Sequence, residues 1–126
     1  MSTHSKKNMD RILYVDDTIA NLLLFKYMFE EKYNITCEPD PLKALYLLKN
    51  NKFDIVISDY EMPKMDGIEL LEILKNNYPE IIRVMLTSHT EYDLELEAKR
   101  RCDCEFLTKP ISKSRIEKIL TSKVFA

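Results

Sequence analysis

The sequence predicts an α/β chain in which five strands and five helices alternate, with the strands forming a parallel sheet covered by helices on both faces. Three observations predict it. Short apolar runs alternate along the chain with segments of i, i+3, i+4, i+7 apolar spacing. The strongest runs are nearly continuous rather than alternately polar, as strands buried on both faces require. The connections are only a few residues long, and right-handed crossovers of that kind place helices on the two sides of one sheet.

The elements follow in order. Residues 1–9 read as a short disordered tail, leaving 10–126 as one domain. Ile12-Leu-Tyr-Val15 is the first strand, and Ala20, Leu23, Leu24, Tyr27 and Met28 make one apolar face of the first helix. Asn34-Ile-Thr-Cys37 is a weaker second strand. Asp40-Pro41 combines an N-cap with proline at the first helical position, opening a helix whose face is Pro41, Ala44, Leu45 and Leu48. Ile55-Val-Ile57 is the third strand, followed by a helix facing inward with Gly67, Leu70, Leu71 and Leu74. Arg83-Val-Met-Leu86 is the fourth. The fourth helical region, about Glu91 to Arg101, offers only Leu94 and Ala98 among charges, so it is expected to be the most loosely held. Thr90 with Asp93 has capping-box spacing at its start. Phe106-Leu107 is the fifth strand. The last helix carries Ile116, Ile119 and Leu120, with Ser114 and Glu117 at capping-box spacing.

Composition excludes several classes. The 126 residues suffice for one hydrophobic core. There is one glycine, Gly67, whereas a P-loop needs two and a dinucleotide-binding loop three. Two histidines, His4 and His89, do not make a zinc-protease motif or a three-histidine metal site. A net charge of −2 lacks the basic field that direct nucleic-acid binding requires. Cys37, Cys102 and Cys104 contain no CxxC and read as reduced thiols. A Cys102-x-Cys104 metal clip lacks partners nearby. No apolar run approaches ~18 residues and the N-terminus is polar, so neither a membrane span nor a signal peptide is expected, and the cytoplasm is the default location.

Ligands of open α/β sheets bind at the carboxyl ends of the strands. The first strand ends in Asp16-Asp17, the third in Asp59, the fourth in Thr87-Ser88 and the fifth in Lys109-Pro110. Any one of these is an ordinary helix cap or loop residue. Together they bring three carboxylates, a hydroxyl and an ammonium to one rim. Crowded carboxylates repel unless a cation or proton compensates. Oxygen ligands without His or Cys suit Mg²⁺ rather than zinc.

On these residues the sequence resembles the bacterial response-regulator receiver domain over essentially all of residues 10–124. The matching residues are Val15-Asp16-Asp17, Asp59 in Ile-Ser-Asp-Tyr-Glu-Met-Pro, Met65-Asp66-Gly67, Thr87-Ser88, Phe106-Leu-Thr-Lys109-Pro110, and Asn21 in the first helix. The resemblance implies a flavodoxin-like (βα)5 doubly wound sheet with strand order 2-1-3-4-5, the order for which a chemotaxis receiver is itself a standard example. It implies that Asp59 is the phosphoacceptor, taking a phosphoryl group from a histidine kinase or phosphotransfer protein. Asp17, Asp59 and the backbone carbonyl of Glu61 would bind Mg²⁺, with Asp16 acting through water. Lys109 would pair with phosphoryl oxygens or Asp59, Thr87 would bind the phosphoryl group, and Phe106 would change rotamer in response. Glu61 and His89 occupy positions that tune the lifetime of the phosphorylated state, and Lys109-Pro110 would be cis. The chain departs from the family's common Gly-Ala before the fifth strand, reading Arg101-Cys102-Asp103-Cys104.

The implied function is a phosphorylation-controlled switch acting on a downstream effector, not an enzyme turning over a metabolite. An aspartate-nucleophile phosphatase would carry Asp-x-Asp after its first strand. A degenerate, phosphate-independent receiver would lack an acidic or lysine position. A flavodoxin would need hydroxyls and amides where Asp16-Asp17 stand. The output surface is expected on the fourth helix, fifth strand and fifth helix, where Lys99, Asp103, Glu105 and Arg115 could serve a phosphorylation-dependent homodimer.

Overall fold

A computed structural model describes residues 10–124; the expected tail, 1–9, and the last two residues lie outside the described residues. Ten elements alternate: β1 (Arg11–Val15), α1 (Ile19–Phe29), β2 (Asn34–Glu38), α2 (Pro41–Asn50), β3 (Ile55–Ser58), α3 (Gly67–Asn77), β4 (Ile82–Thr87), α4 (Tyr92–Cys102), β5 (Glu105–Thr108) and α5 (Lys113–Val124). The sheet is wholly parallel with order β2-β1-β3-β4-β5. Its register matters for the site. Val15 lies opposite Ser58 and Thr87 opposite Thr108, so Asp16, Asp59, Ser88 and Lys109 all emerge one residue later at the same rim.

The nearly continuous apolar strands β1, β3 and β4 feed two cores, one on each face. Leu13, Val15, Val56 and Met85 pack against α2, α3 and α4. Ile12, Tyr14, Ile55, Ile57, Val84 and Leu86 pack against α1 and α5. Burying one such side chain contributes about 1.5–3 kcal/mol.

The face of α1 differs from the one the sequence predicts. Leu22, Phe25 and Phe29 are buried, while Leu23, Leu24 and Tyr27 are exposed, Tyr27 at 80%. The helix is apolar on nearly every side, so its spacing does not choose a face. Aromatic packing does: the Tyr14 and Phe25 ring centroids are 4.5 Å apart, and Phe25 and Phe29 4.7 Å apart.

Two of the three expected caps also move. Asp40 caps α2 as read, its carboxylate accepting from Leu42 N at 2.9 Å. At α4, however, the N-cap residue is Glu91 rather than Thr90, and it makes no side-chain cap. At α5 the helix starts at Lys113, ahead of Ser114, and Ser112 Oγ accepts from Arg115 N at 3.4 Å. A full capping box does form at α3, between Asp66 and Glu69.

α4 is tied more firmly than its composition suggests. Arg101 donates to Glu72 of α3 at 2.7 Å and to Glu97 at 2.8 Å. Arg83, buried on β4, donates to the carbonyls of Cys102 (2.7 Å), Ile81 (2.8 Å) and Pro79 (3.2 Å). It therefore holds the C-terminus of α4 where Asp103 turns left-handed at φ 50 in place of a glycine. Two charges assigned to a dimer contact are engaged within the chain: Lys99 with Glu95 at 3.1 Å and Asp103 with Arg83 at 3.9 Å. The cysteines are free thiols, with Cys102 and Cys104 buried and their Sγ atoms directed at the carbonyls of Ile68 and Ala98.

Candidate functional site

A cleft of about 450 Å³ opens at the carboxyl rim, lined by Asp17, Thr18, Asn21, Asp59, Glu61, Ser88, His89 and Lys109. Asp16 is fully buried behind this lining and bonded to two of its side chains, Lys109 and Asn21. Carboxylate oxygens of Asp16, Asp17 and Asp59 all lie within 4.8 Å of one another. The three come from adjacent strand ends, because β1 and β3 pair in the register given above. Such a set, all hard oxygen and crowded, fits a divalent cation of the Mg²⁺ type. Among the described residues it is the only cluster of three or more metal-binding side chains, so Cys102 and Cys104 form no such site.

The buried carboxylate of Asp16 is saturated with donors. Its Oδ1 accepts from Thr18 N at 2.9 Å. Its Oδ2 accepts from Tyr14 OH at 2.7 Å, Lys109 Nζ at 2.9 Å and Asn21 Nδ2 at 3.2 Å. Burial alone would raise its pKa, but the bonds from Lys109, Thr18 and Tyr14 outweigh it and hold it below the ordinary carboxylate value. Asp59 behaves oppositely. Burial, with the neighbouring Asp16 charge, pushes its pKa up despite Lys109, whose Nζ is 3.5 Å from Asp59 Oδ1. Tyr60 N donates to that same oxygen at 2.8 Å. Lys109 thus sits nearer Asp16 than Asp59. The Tyr14 hydroxyl is pushed far up by burial and by Asp16, so it stays protonated and donates.

The lone glycine has a steric reason. A Cβ on Gly67 would stand 2.2 Å from the carbonyl oxygen of Asp59 and 2.9 Å from Met85 Sδ. Gly67 N also donates to Tyr60 O at 2.7 Å, closing the loop after Asp59 onto the start of α3. Only a residue without a side chain permits that approach.

The remaining expected residues fall into place around the cleft. Thr87 is buried, its Oγ1 accepting from His89 N at 3.1 Å, and Ser88 beside it is exposed. Phe106 is half-buried against the α2–α4 core. His89 Nε2 reaches Glu61 Oε1 at 3.1 Å and its Nδ1 reaches Glu91 Oε1 at 3.4 Å. Glu61 first and Glu91 second raise the imidazole pKa above its usual value. The His89 ring also stands edge-on to Tyr60, with centroids 5.5 Å apart. The Lys109-Pro110 bond is cis, as the resemblance implied.

Sequence reasoning missed two residues. Tyr14 reads as one more apolar strand residue, and Arg83 only as the first residue of the fourth strand. A polar tip on a central strand beside Asp16 was the available signal for Tyr14.

Comparison with known proteins agrees with this geometry. The model of the response regulator receiver domain matches residues 12–121. The chain is 38% identical over 113 residues to the two-component response regulator ARR18 of Arabidopsis thaliana, covering 86% of this chain and 17% of that protein. This chain thus spans less than a fifth of that relative. Its fold is similar to the signal receiver domain of an HD domain-containing protein from Pseudomonas fluorescens Pf-5, at TM-score 0.86 and 28% identity, covering 90% and 93% of the two chains. It is also similar to a CheY-like receiver domain protein from Methanospirillum hungatei JF-1, at TM-score 0.85 and 25% identity, covering 91% and 93%. A plant relative makes the label "bacterial" too narrow. Among the described residues no helix is long and apolar enough to cross a membrane. With the sheet order, the acidic rim and the family match in agreement, the chain belongs to the receiver domains of two-component response regulators, whose general function is that of a phosphorylation switch.

Proposed function

We propose that the chain accepts a phosphoryl group on Asp59 from the phosphohistidine of a histidine kinase or phosphotransfer protein, and that this alters the surface of α4, β5 and α5 read by a downstream effector. The observation that carries this reading is the convergence of Asp16, Asp17, Asp59, Thr87 and Lys109 on one rim. A carboxylate oxygen of Asp59 forms the new P–O bond as the donor's P–N bond breaks, and the bonding pair leaves with the imidazole. Such transfers depend on in-line positioning and on neutralising oxygen charge.

The chain's own residues supply much of that. Tyr60 N and Lys109 orient the Asp59 carboxylate. Lys109 also provides an ammonium for phosphoryl oxygens, and the Thr87 hydroxyl a hydrogen bond to them. Exposed Ser88 is small enough to leave room for the group. Asp17, Asp59 and the Glu61 carbonyl would hold Mg²⁺, with Asp16 behind them, and the ion would offset the charge of a dianion placed among carboxylates. Thr87, drawn toward the phosphoryl group, would pull its loop inward and release Phe106 to turn. The reaction is the chain's own modification and slow reversal, not turnover of a metabolite.

Acetyl phosphate with Mg²⁺ tests this by intact mass. One phosphoryl mass is expected on the wild type and none on Asp59→Asn, with beryllium fluoride forming an adduct at the same site. Uptake by Asp59→Asn, or equal uptake by the wild type in chelator, would sink the reading.

A further inference from the structure

Asp16 Oδ2 is the node where three side chains of different origin meet. Lys109 comes from the end of β5, Asn21 from α1, and Tyr14 from inside β1. Lys109 and Asn21 border the cleft, whereas Tyr14 is fully buried, with its ring among the α1–α5 core and against Phe25. Its 2.7 Å bond is the shortest of the three and the only one from a residue inside a strand. A hydroxyl donating to a carboxylate at that length is a charge-assisted bond. A tyrosine here also carries a requirement that a plain core residue would not: its buried O–H needs a partner, and Asp16 is that partner.

We infer that Tyr14 is a positioning residue of the acidic site, fixing Asp16 from below so that the Asp17 and Asp59 carboxylates stand in a preformed cation site. The inference rests on the Mg²⁺ reading above. Groups that orient ligands from behind contribute heavily to metal affinity, and their loss typically costs 10- to 100-fold in affinity or activity. Without the hydroxyl, Asp16 keeps Thr18 N, Asn21 and Lys109 but loses its link to the strand. Its Oδ2 is then held only from the cleft side, by Lys109 and Asn21.

Tyr14→Phe removes one oxygen and keeps the ring. Mg²⁺ titrated alone, followed by the amide resonances of Asp17 and Asp59, is expected to bind about tenfold more weakly to Tyr14→Phe than to the wild type. In the Asp16→Asn background the same change is expected to add little, because its effect passes through Asp16. Phe25→Leu, which disturbs the ring packing but not the hydroxyl, is expected to lose stability and keep wild-type Mg²⁺ affinity. Unchanged affinity in Tyr14→Phe, or an undiminished effect on Asp16→Asn, overturns the inference. Should Tyr14→Phe fail to fold, the hydroxyl proton of the wild type carries the test: a Tyr14 resonance that Mg²⁺ leaves unmoved overturns it as well. Phosphoryl uptake by the wild type is measured separately. A chain that binds Mg²⁺ through this network yet takes up no phosphoryl group would overturn the phosphoacceptor reading and leave this one standing.

Discussion

Asp16 and Asp59 are neighbouring carboxylates whose surroundings drive them in opposite directions, and stability should report it. Asp16 has its pKa lowered by Lys109, Thr18 and Tyr14 against the effect of burial. Its contribution is therefore present above the ordinary carboxylate range and lost as pH falls through its lowered value. Asp59 has its pKa raised, so its protonated form favours the fold, and that contribution is lost as pH rises through the raised value. At neutral pH without Mg²⁺, Asp59→Asn should melt higher than the wild type and Asp16→Asn lower. In Asp16→Asn an amide would face the donors Tyr14 and Lys109. Equal melting temperatures for the two variants would contradict the assignment. His89 supplies a second prediction. Its pairing with Glu61 and Glu91 raises its pKa, so the charged pair persists below the usual imidazole value and is lost as pH rises through the raised one. If that pair shields the cleft from water, the phosphorylated state should decay faster as pH rises. Glu61→Ala and His89→Ala should each shorten its lifetime by up to about fivefold, the scale of an exposed ion pair, with the double variant little worse. Loss of phosphoryl mass over time measures it, and wild-type decay in both single variants would show the pair to be idle. The rim residues were legible because each terminates a strand. Tyr14 was less so: its polar tip next to Asp16 is a signal, but apolar periodicity does not say that a core ring turns its hydroxyl toward the carboxylate two residues on.

Elements were legible wherever polarity is one-sided. α2 and α3 bury the faces their spacing predicts, including Ala44, Leu48, Leu70, Leu71 and Leu74. α1 was misread because Ile19, Leu23, Leu24 and Tyr27 leave it apolar on its outer side as well. The consequence is measurable. Phe25→Ala should cost about 3–5 kcal/mol, as for a large buried aromatic, whereas Leu23→Ser should stay within about 0.5 kcal/mol. Urea unfolding of the two variants decides between the faces: a large loss from Leu23→Ser would restore the face that spacing alone suggests. The caps of α4 and α5 were misplaced for a related reason. Thr90, Glu91, Ser112 and Ser114 are all competent cap residues or near-caps, and only the path of the incoming chain selects one. The charged composition of α4 made it look loosely held, but Arg101 uses part of that charge to bind α3. Long-range pairs of that kind have no signature in local spacing.

Across the whole molecule, the chemistry and the clamp lie at opposite ends of the sheet, and α4 spans the distance between them. Its N-terminus follows directly from the Thr87–His89 loop and has no side-chain cap. Its C-terminus is fixed three ways: by Arg83 on the Cys102 carbonyl, by Arg101 on Glu72, and by Cys102 Sγ on the Ile68 carbonyl. A pull on the Thr87 loop should therefore swing the first half of α4 about a stationary last turn instead of shifting the helix as a body. Hydrogen exchange with and without beryllium fluoride and Mg²⁺ resolves the two motions. Amides of residues 88–96 should change protection, while those of 98–104 should not, because their hydrogen bonds remain pinned by the guanidinium groups. Arg83→Leu should remove the pivot, since it leaves the Cys102 and Ile81 carbonyls without their buried donor. In that variant the change should spread through the C-terminal half of α4 to the start of β5. A uniform change along α4 in the wild type, or no spread in Arg83→Leu, would mean that the helix moves as one piece and that Arg83 serves only to hold the turn at Asp103.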